Sequence, residues 1–433
     1  MIPFNRLKPF VHASSGLETS YGKVTTLKDS LLISKGPLCQ VGDVCRIGDD
    51  VLCEVLKVEA NRVFLLPFDT LDHIKIGDKV TVVEHPIALP DVSSLLGRVI
   101  DGFGNPIDDE GYFSRATPLS IYGKPVSAMK RKMIEQSIET GVKSIDGFLT
   151  IGEGQRIGIF AGTGVGKSTM LGMVARGTQS DVNVIALIGE RAREVKEFIY
   201  KNLGEEGMKK SVLVVATSAE SPLRQIKATL LATKIAELFR DQGKKVLLMM
   251  DSVTRFAMAK REMDVAAGEI IQAGGKTPSI EASMQRLLER SGMGEVGSIT
   301  GIYTVLVEND DFEAPIPDMA RGILDGHIVL SRSLANQNHF PAIDVLSSIS
   351  RVMESVVSDK HWVLARECKK YYALYKENEE LLKIGTYAYG HDKEADKAIE
   401  LYPRIQQILK QGTQEQVSMN EILTLMEEII GEV

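Results

Sequence analysis

The sequence predicts an α/β protein: a parallel-sheet core, a small β-barrel before it and a helical domain after it. Three observations carry that prediction. Short β-rich runs cut by Gly, Asp and Asn fill the stretch from about Gly22 to Glu84. Apolar runs separated by helix-length segments fill the middle. After about Val352 the strand signal stops and helical periodicity alone is left. The corresponding boundaries are residues 1–95, 96–355 and 356–433.

The N-terminus, MIPFNRLKPFVHASSG, is too short and interrupted to read as a signal peptide. No apolar run approaches the roughly 20 residues that a membrane span requires. The expectation is a cytoplasmic protein, one still able to dock on a membrane complex. Fifty-one basic against 58 acidic side chains give a net charge of -7, which argues against a nucleic-acid binder, although a local basic patch is compatible with it. Cys39, Cys45, Cys53 and Cys368 form neither a CxxC pair nor a metal-ligand spacing, and read as buried or idle reduced thiols.

In the barrel region, YGKVTTLKDSLLISKG, DVLCEVLKVEANRVFLLPF and GDKVTVVEH supply short strands at close spacing. HPIALPDVSSLLG, with two prolines, reads as the exit. In the middle, RIGIF, NVIALIG, SVLVVAT and KVLLMMD are buried strands, and STMLGMVARG and SPLRQIKATLLATKIAELFRDQG are helices between them. GSITGIYTVLVE and GHIVLS add later strands. Such alternation means βαβ units and a sheet covered on both faces. WVLARECKKYYALYKENEELLKIG, KEADKAIELYPRIQQILKQG and SMNEILTLMEEIIG are helical by period and composition.

The chemistry-bearing stretch is FAGTGVGKSTM, Phe160 to Met170. Between a strand and a helix, the pattern G-x-x-x-x-G-K-[ST] holds phosphates. Here Ala161 stands at the first position, followed by Gly162, Thr163, Gly164, Val165, Gly166, Lys167, Ser168 and Thr169. The glycines let the backbone wrap an anion with its N–H groups inward, and the next helix adds the positive end of its dipole. Lys167 is the residue to reach the β- and γ-phosphates of ATP, and the Ser168 hydroxyl to bind Mg²⁺. The fold expected is therefore a P-loop NTPase.

A second Mg²⁺ partner belongs at the end of another apolar strand. Asp251 in VLLMMDS fits; an Asp there can also cap the helix VTRFAMAKRE, but beside the phosphate loop the metal role is favoured. Glu190 follows the strand NVIALIG and so falls on the same sheet edge. A carboxylate there can orient an attacking water, or simply sit as a solvated acid at a helix start. On spacing alone the two readings stand level.

LLGRVIDGFGNPID, TGVKSIDGFLTIGEGQRIGIFAGTGVGKSTML, NVIALIGERAREV, VLLMMDSVTRFAMAKRE, FPAIDVLSSISRV and YPRIQQILKQG together resemble the type III export ATPases. These are in turn similar to the catalytic subunit of the rotary ATP synthases. The resemblance runs from about Gly22 to the C-terminus and is strongest to the flagellar branch, through GILDGHIVLSRSLANQNHFPAIDVLSSISRVM. It implies a RecA-like core and a Mg-dependent ATP hydrolase that supports export of flagellar proteins.

It also implies residue roles. Glu190, in the GER triplet, matches the catalytic glutamate, and Asp251 the acid that holds Mg²⁺ through water. Arg191 and Arg255 match arginines near the γ-phosphate. Phe340, whose bland alternative is a core phenylalanine, matches an aromatic that packs on adenine. Arg351 reads on its own as a surface arginine in a helix; by resemblance it is an arginine finger that points into a neighbour's site. That makes the chain a homohexamer.

The partners implied are a peripheral stator-like regulator at the N-terminal region, a central coiled-coil stalk, a membrane export gate, and export substrates with their chaperones, with no nucleic acid. The location implied is the cytoplasm, at the inner-membrane export apparatus. One departure is the 270–285 segment, IIQAGGKTPSIEASMQ, where the family usually carries a Tyr-Pro-Pro run; the details of the stalk contact depend on it.

Three rivals stand beside this reading, one of them a non-catalytic structural ring subunit, which Glu190 argues against. The ATPase of a virulence injectisome is built on the same plan. A hexameric termination-type RNA helicase would need aromatic and basic residues on its barrel, where only Tyr21, Phe64 and Phe68 are found and no basic cluster.

Overall fold

The structure, a computed structural model, describes residues 21–431 apart from 29–30, 70, 72, 84–86, 115 and 309–310. The N-terminal stretch assigned by sequence to regulator binding lies outside the described residues, except for the barrel itself. Contacts divide the chain into two units: Met1–Pro86 with Met263–Glu269, and Ile87–Glu262 with Ile270–Val433.

The first unit holds a closed barrel of six strands, β1 (Tyr21–Lys28), β2 (Leu31–Lys35), β3 (Val44–Ile47), β4 (Val51–Glu59), β5 (Arg62–Pro67) and β6 (Lys79–Val82), in the order β1-β2-β5-β4-β3-β6. Alternate residues point inward, as the two-residue period of a strand demands, and Val24, Leu32, Ile47, Val55, Leu65 and Val80 fill the interior. Cys45 and Cys53 face each other across β3 and β4 in that interior, and burial pushes the Cys45 thiol up to about 12. These are the unreactive thiols read from the sequence. Of the barrel aromatics, Phe68 is fully buried, and lysines lie over the rings of Tyr21 and Phe64.

The second unit is built on a sheet whose strands are β7 (Val99–Ile100), β8 (Arg156–Ala161), β9 (Val182–Glu190), β10 (Ser211–Thr217), β11 (Lys245–Asp251), β12 (Ser298–Leu306), β13 (Gly326–Leu330) and β14 (Ile343–Ser350). Their order is β14-β13-β8-β12-β11-β9-β10-β7, with the short strand Gly292–Met293 added antiparallel to β12. From β13 to β7 every pair along this path is parallel, and β14 alone runs against its neighbour. β9 is buried along nearly its whole length, as a strand covered on both faces must be.

Helices α1 (Lys143–Phe148), α2 (Lys167–Gly177), α3 (Ala192–Glu197), α4 (Pro222–Asp241), α5 (Val253–Ala266), α6 (Pro278–Leu288) and α7 (Pro315–Ile323) connect the strands. The atypical 270–285 segment turns at Ala273–Gly275, with Gly274 and Gly275 at φ +80 and +77, and then enters α6 with Pro278 in its first turn. Three C-terminal helices follow: α8 (Asp359–Ile384), α9 (Lys393–Leu409) and α10 (Met419–Gly431). Their inward residues Cys368, Ile405, Ile408, Ile422 and Met426 share one apolar core with Ile145 and Phe148 of α1 and with the sheet.

The charged pair Arg290–Glu237 ties α4 to the segment after α6. Two hydrogen bonds of 2.8 and 2.9 Å join them, and each side chain is 3% exposed. Removing one partner leaves the other charge desolvated and unanswered. Glu237→Ala is expected to cost about 3–5 kcal/mol, read as a lower midpoint in chemical denaturation.

Candidate active site

All parallel strands end on one edge of the sheet, and the chemistry collects there. β8 leads into the phosphate loop, β9 ends on Glu190 and β11 ends on Asp251. The loop takes the shape its glycines allow: Gly164 and Gly166 have φ of +78 and +90. Gly166 is the residue that caps α2, and no side chain caps that helix. Its first N–H groups are therefore left for an anion. Ser168 and Thr169, in the first turn, are exposed, whereas Val165 is buried and anchors the loop in the core.

Lys167 is pulled in between two carboxylates. Its Nζ lies 2.5 Å from Asp251 Oδ1 and 3.3 Å from Glu190 Oε1. Burial alone would lower the ammonium's pKa, but Asp251 and then Glu190 more than offset it, so Lys167 is held firmly charged. Glu190 is pushed up to about 7, first by burial and then by the charge of Asp251, against the opposing pull of Lys167.

Glycine at 189 has two causes. Its φ is +70, where the strand register shifts just before Glu190, and a Cβ there would come within 2.7 Å of Arg255. Arg255 thus packs directly behind the turn that presents Glu190. Its Nε is buried with no hydrogen-bond partner, a donor left over in the pocket. Phe340, 42% exposed, lies over the loop: a Cβ on Gly166 would sit 3.6 Å from its ring. An uncapped helix start, exposed hydroxyls, a spare buried arginine nitrogen and a half-open aromatic ring together fit a nucleotide with its metal.

Two predicted residues are not on this cluster. Arg191 is exposed and pairs with Glu194 at 2.9 Å. Arg351 follows strand β14, not a helix as its local sequence suggests. Its N–H donates to the Asp325 carbonyl, level with Arg156 at the start of β8, and its Nη2 donates to the Arg321 carbonyl at 3.4 Å. Arg156 and Ala161 are the two ends of the six-residue strand β8, roughly 16 Å apart. Arg351 is exposed at the opposite end of the sheet from its own phosphate loop.

The structure adds residues that motif reading passed over. Thr304, buried on β12, has its hydroxyl 2.7 Å from Asp251 Oδ1 and so fixes that carboxylate's rotamer. Glu194 hydrogen-bonds Glu190, which holds the Glu194 carboxyl below its usual range. Strand alternation around Thr304 was available in the sequence, but its partner emerges only from the β11–β12 register, Met250 against Tyr303.

The ATP synthase alpha/beta nucleotide-binding domain matches residues 141–350, and the C-terminal domain of the type III secretion ATPase EscN matches 357–428. The chain is 46% identical to the flagellum-specific ATP synthase of Bacillus subtilis (strain 168), over 95% of both chains. The chain belongs to the flagellar and type III secretion ATPase family. Within that family it is also 46% identical to a type 3 secretion system ATPase of Xanthomonas euvesicatoria, over 94% of this chain and 93% of that one. Its fold superposes with a TM-score of 0.88 on assembled EscN of enteropathogenic E. coli in complex with its central stalk EscO; the two are 45% identical, over 94% of this chain and all of that one. Members of this family are ATP-hydrolysing enzymes, and so is this chain.

In the nucleotide-free enzyme Glu190 is expected to titrate near pH 7, ionised above and protonated below. Carboxyl-band infrared difference spectra against Glu190→Gln report this directly. Asp251→Asn is expected to lower that midpoint without restoring the ordinary carboxylate value, since burial is the larger cause.

Proposed function

We propose that this chain is the ATPase of a flagellar protein-export apparatus, hydrolysing MgATP in a homohexameric ring. The observation that carries the reading is the near full-length identity to a flagellum-specific ATP synthase, over a chain whose phosphate loop, Glu190 and Asp251 share one sheet edge.

The residue roles follow from position. The backbone of Gly162–Thr169 cradles the phosphates, and Lys167 reaches the β- and γ-oxygens. Ser168, and Asp251 through water, would hold Mg²⁺, which when bound would supply charge neutralisation at those oxygens. Glu190, with a pKa near neutrality, is suited to orient and polarise the attacking water. Arg255 has a donor to spare, and Arg191 can leave its exposed pairing with Glu194. Phe340 stacks on the base. Arg351 is on the wrong end of the sheet to serve its own site, which supports a role as a finger in the neighbour's site. Such a finger is worth roughly 10³–10⁵ in rate.

In this reading residues 1–95 form the ring's collar and bind a stator-like regulator. Residues 96–355 hold and hydrolyse ATP, and 356–433 face the export gate and the substrates with their chaperones. The stalk complex of EscN supports a central coiled-coil partner here as well. None of the helices among the described residues is long and apolar enough to cross a membrane. The reading places the ring in the cytoplasm, held peripherally at the inner-membrane apparatus. The equally similar Xanthomonas euvesicatoria protein favours, as a second reading, the ATPase of an injectisome.

The test is Glu190→Gln in place of the chromosomal gene. The purified variant is expected to bind ATP and lose nearly all turnover, and the cells to grow normally without filaments or swimming. Retained hydrolysis removes Glu190 from its role. Loss of turnover with normal filaments moves the protein to the injectisome reading, with missing secreted effectors as its sign.

A further inference from the structure

The turn between α9 and α10 is bonded at three points to segments around the nucleotide site. The Gln411 backbone N–H donates to the carbonyl of Phe340 at 3.0 Å. The Arg176 guanidinium, in the last turn of the phosphate-loop helix α2, donates to the Thr413 carbonyl at 2.6 Å. The third point is the Gln411 carboxamide, 7% exposed. Its Oε1 accepts from the Lys143 N–H of α1 at 2.8 Å, and its Nε2 donates to the Gly141 and Glu415 carbonyls at 2.7 and 2.8 Å.

One amide thus satisfies three backbone groups on two separate segments. Glu415 reinforces the turn, bonding Lys143 Nζ and the Gly412 N–H, each at 2.9 Å. Just ahead of Phe340, the His339 ring bonds the Leu409 carbonyl at the end of α9. The loop that carries Phe340 therefore hangs on the C-terminal helices by two adjacent residues. The Phe340 ring faces the phosphate loop at Gly166.

We infer that Gln411 is a positioning residue for the nucleotide: by locking the 410–415 turn it holds Phe340 at the height where a base can stack. The inference rests on the reading of Phe340 as the base platform. Among the described residues, the hydrogen bonds of the Gln411 side chain go to Lys143, Gly141 and Glu415 and none to the phosphate loop. Its effect belongs to the base end of the ligand: the phosphate end is held by the loop and the first turn of α2, and α2 meets the 410–415 turn through Arg176, in its last turn, away from the loop. Tension or displacement in the C-terminal helices would then alter how tightly the base is held.

The test compares two probes on the full-length chain by calorimetry, each with Mg²⁺: ATP, and inorganic tripolyphosphate, which has the phosphates and no base. Gln411→Met keeps the volume and removes the hydrogen bonds. It is expected to weaken ATP about tenfold and to leave tripolyphosphate within about twofold. Phe340→Ala is expected to show the same selectivity, and the double variant to bind ATP no more weakly than Phe340→Ala alone, because the two substitutions act through one ring.

Weaker ATP in Phe340→Ala with unchanged ATP in Gln411→Met overturns the role of Gln411 and leaves the base platform standing. Unchanged ATP in Phe340→Ala overturns the platform, and the role of Gln411 with it. Equal weakening of ATP and tripolyphosphate by Gln411→Met shows a general loosening and also overturns the inference. Should Gln411→Met not fold, Glu415→Ala loosens the same turn from a side chain that is 42% exposed. A smaller loss confined to ATP supports the inference, and no loss, or an equal loss for both probes, overturns it.

Discussion

A single ammonium group between two carboxylates organises the nucleotide site. Lys167, Glu190 and Asp251 come from three different stretches of chain, and they meet because β8, β9 and β11 run in the same direction and end on the same edge. Two carboxylates brought this close would repel; the lysine between them is what lets both stand in a buried place. The compromise is uneven. Asp251 has Lys167 at 2.5 Å and the Thr304 hydroxyl at 2.7 Å, while Glu190 has the longer contact and the raised pKa. The acid left less satisfied is the one whose proton affinity suits general-base work.

Around that cluster each neighbour serves by shape as much as by charge. Gly189 yields space to Arg255, and Gly166, at φ +90 beneath the ring of Phe340, holds a left-handed backbone that a side chain would strain. A methyl group at position 189 would have to push back the arginine packed behind the turn that presents Glu190. The site is thus specified by what is missing from two backbone positions as well as by the side chains present.

The sequence made much of this legible, and for physical reasons. Apolar runs of strand length between amphipathic helices dictate a covered parallel sheet, and a parallel sheet puts the residues after its strands on one edge. Lys167, Ser168, Glu190 and Asp251 could therefore be grouped before any coordinates. The short runs between Gly22 and Glu84 similarly disclosed a barrel. What stayed hidden depends on pairing between distant segments. Thr304 has no motif; it matters because β12 lies beside β11. Gln411 sits 71 residues after its backbone partner Phe340 and looks like any polar residue before a glycine. Arg351 was misread as helical because the run SSISRV carries too few alternating apolar residues to announce an edge strand, and the antiparallel pairing of β14 with β13 decides it.

That antiparallel return of β14 has a genetic consequence. In a closed ring, each site would take its loop from one copy and its finger from the next. A copy lacking Lys167 and a copy lacking Arg351 would each be dead alone. Mixed in one ring, every boundary where an intact loop meets an intact finger would be alive again. Two null alleles of the same gene would then rescue one another, and an allele damaged at Arg351 would poison its neighbour's site while sparing its own.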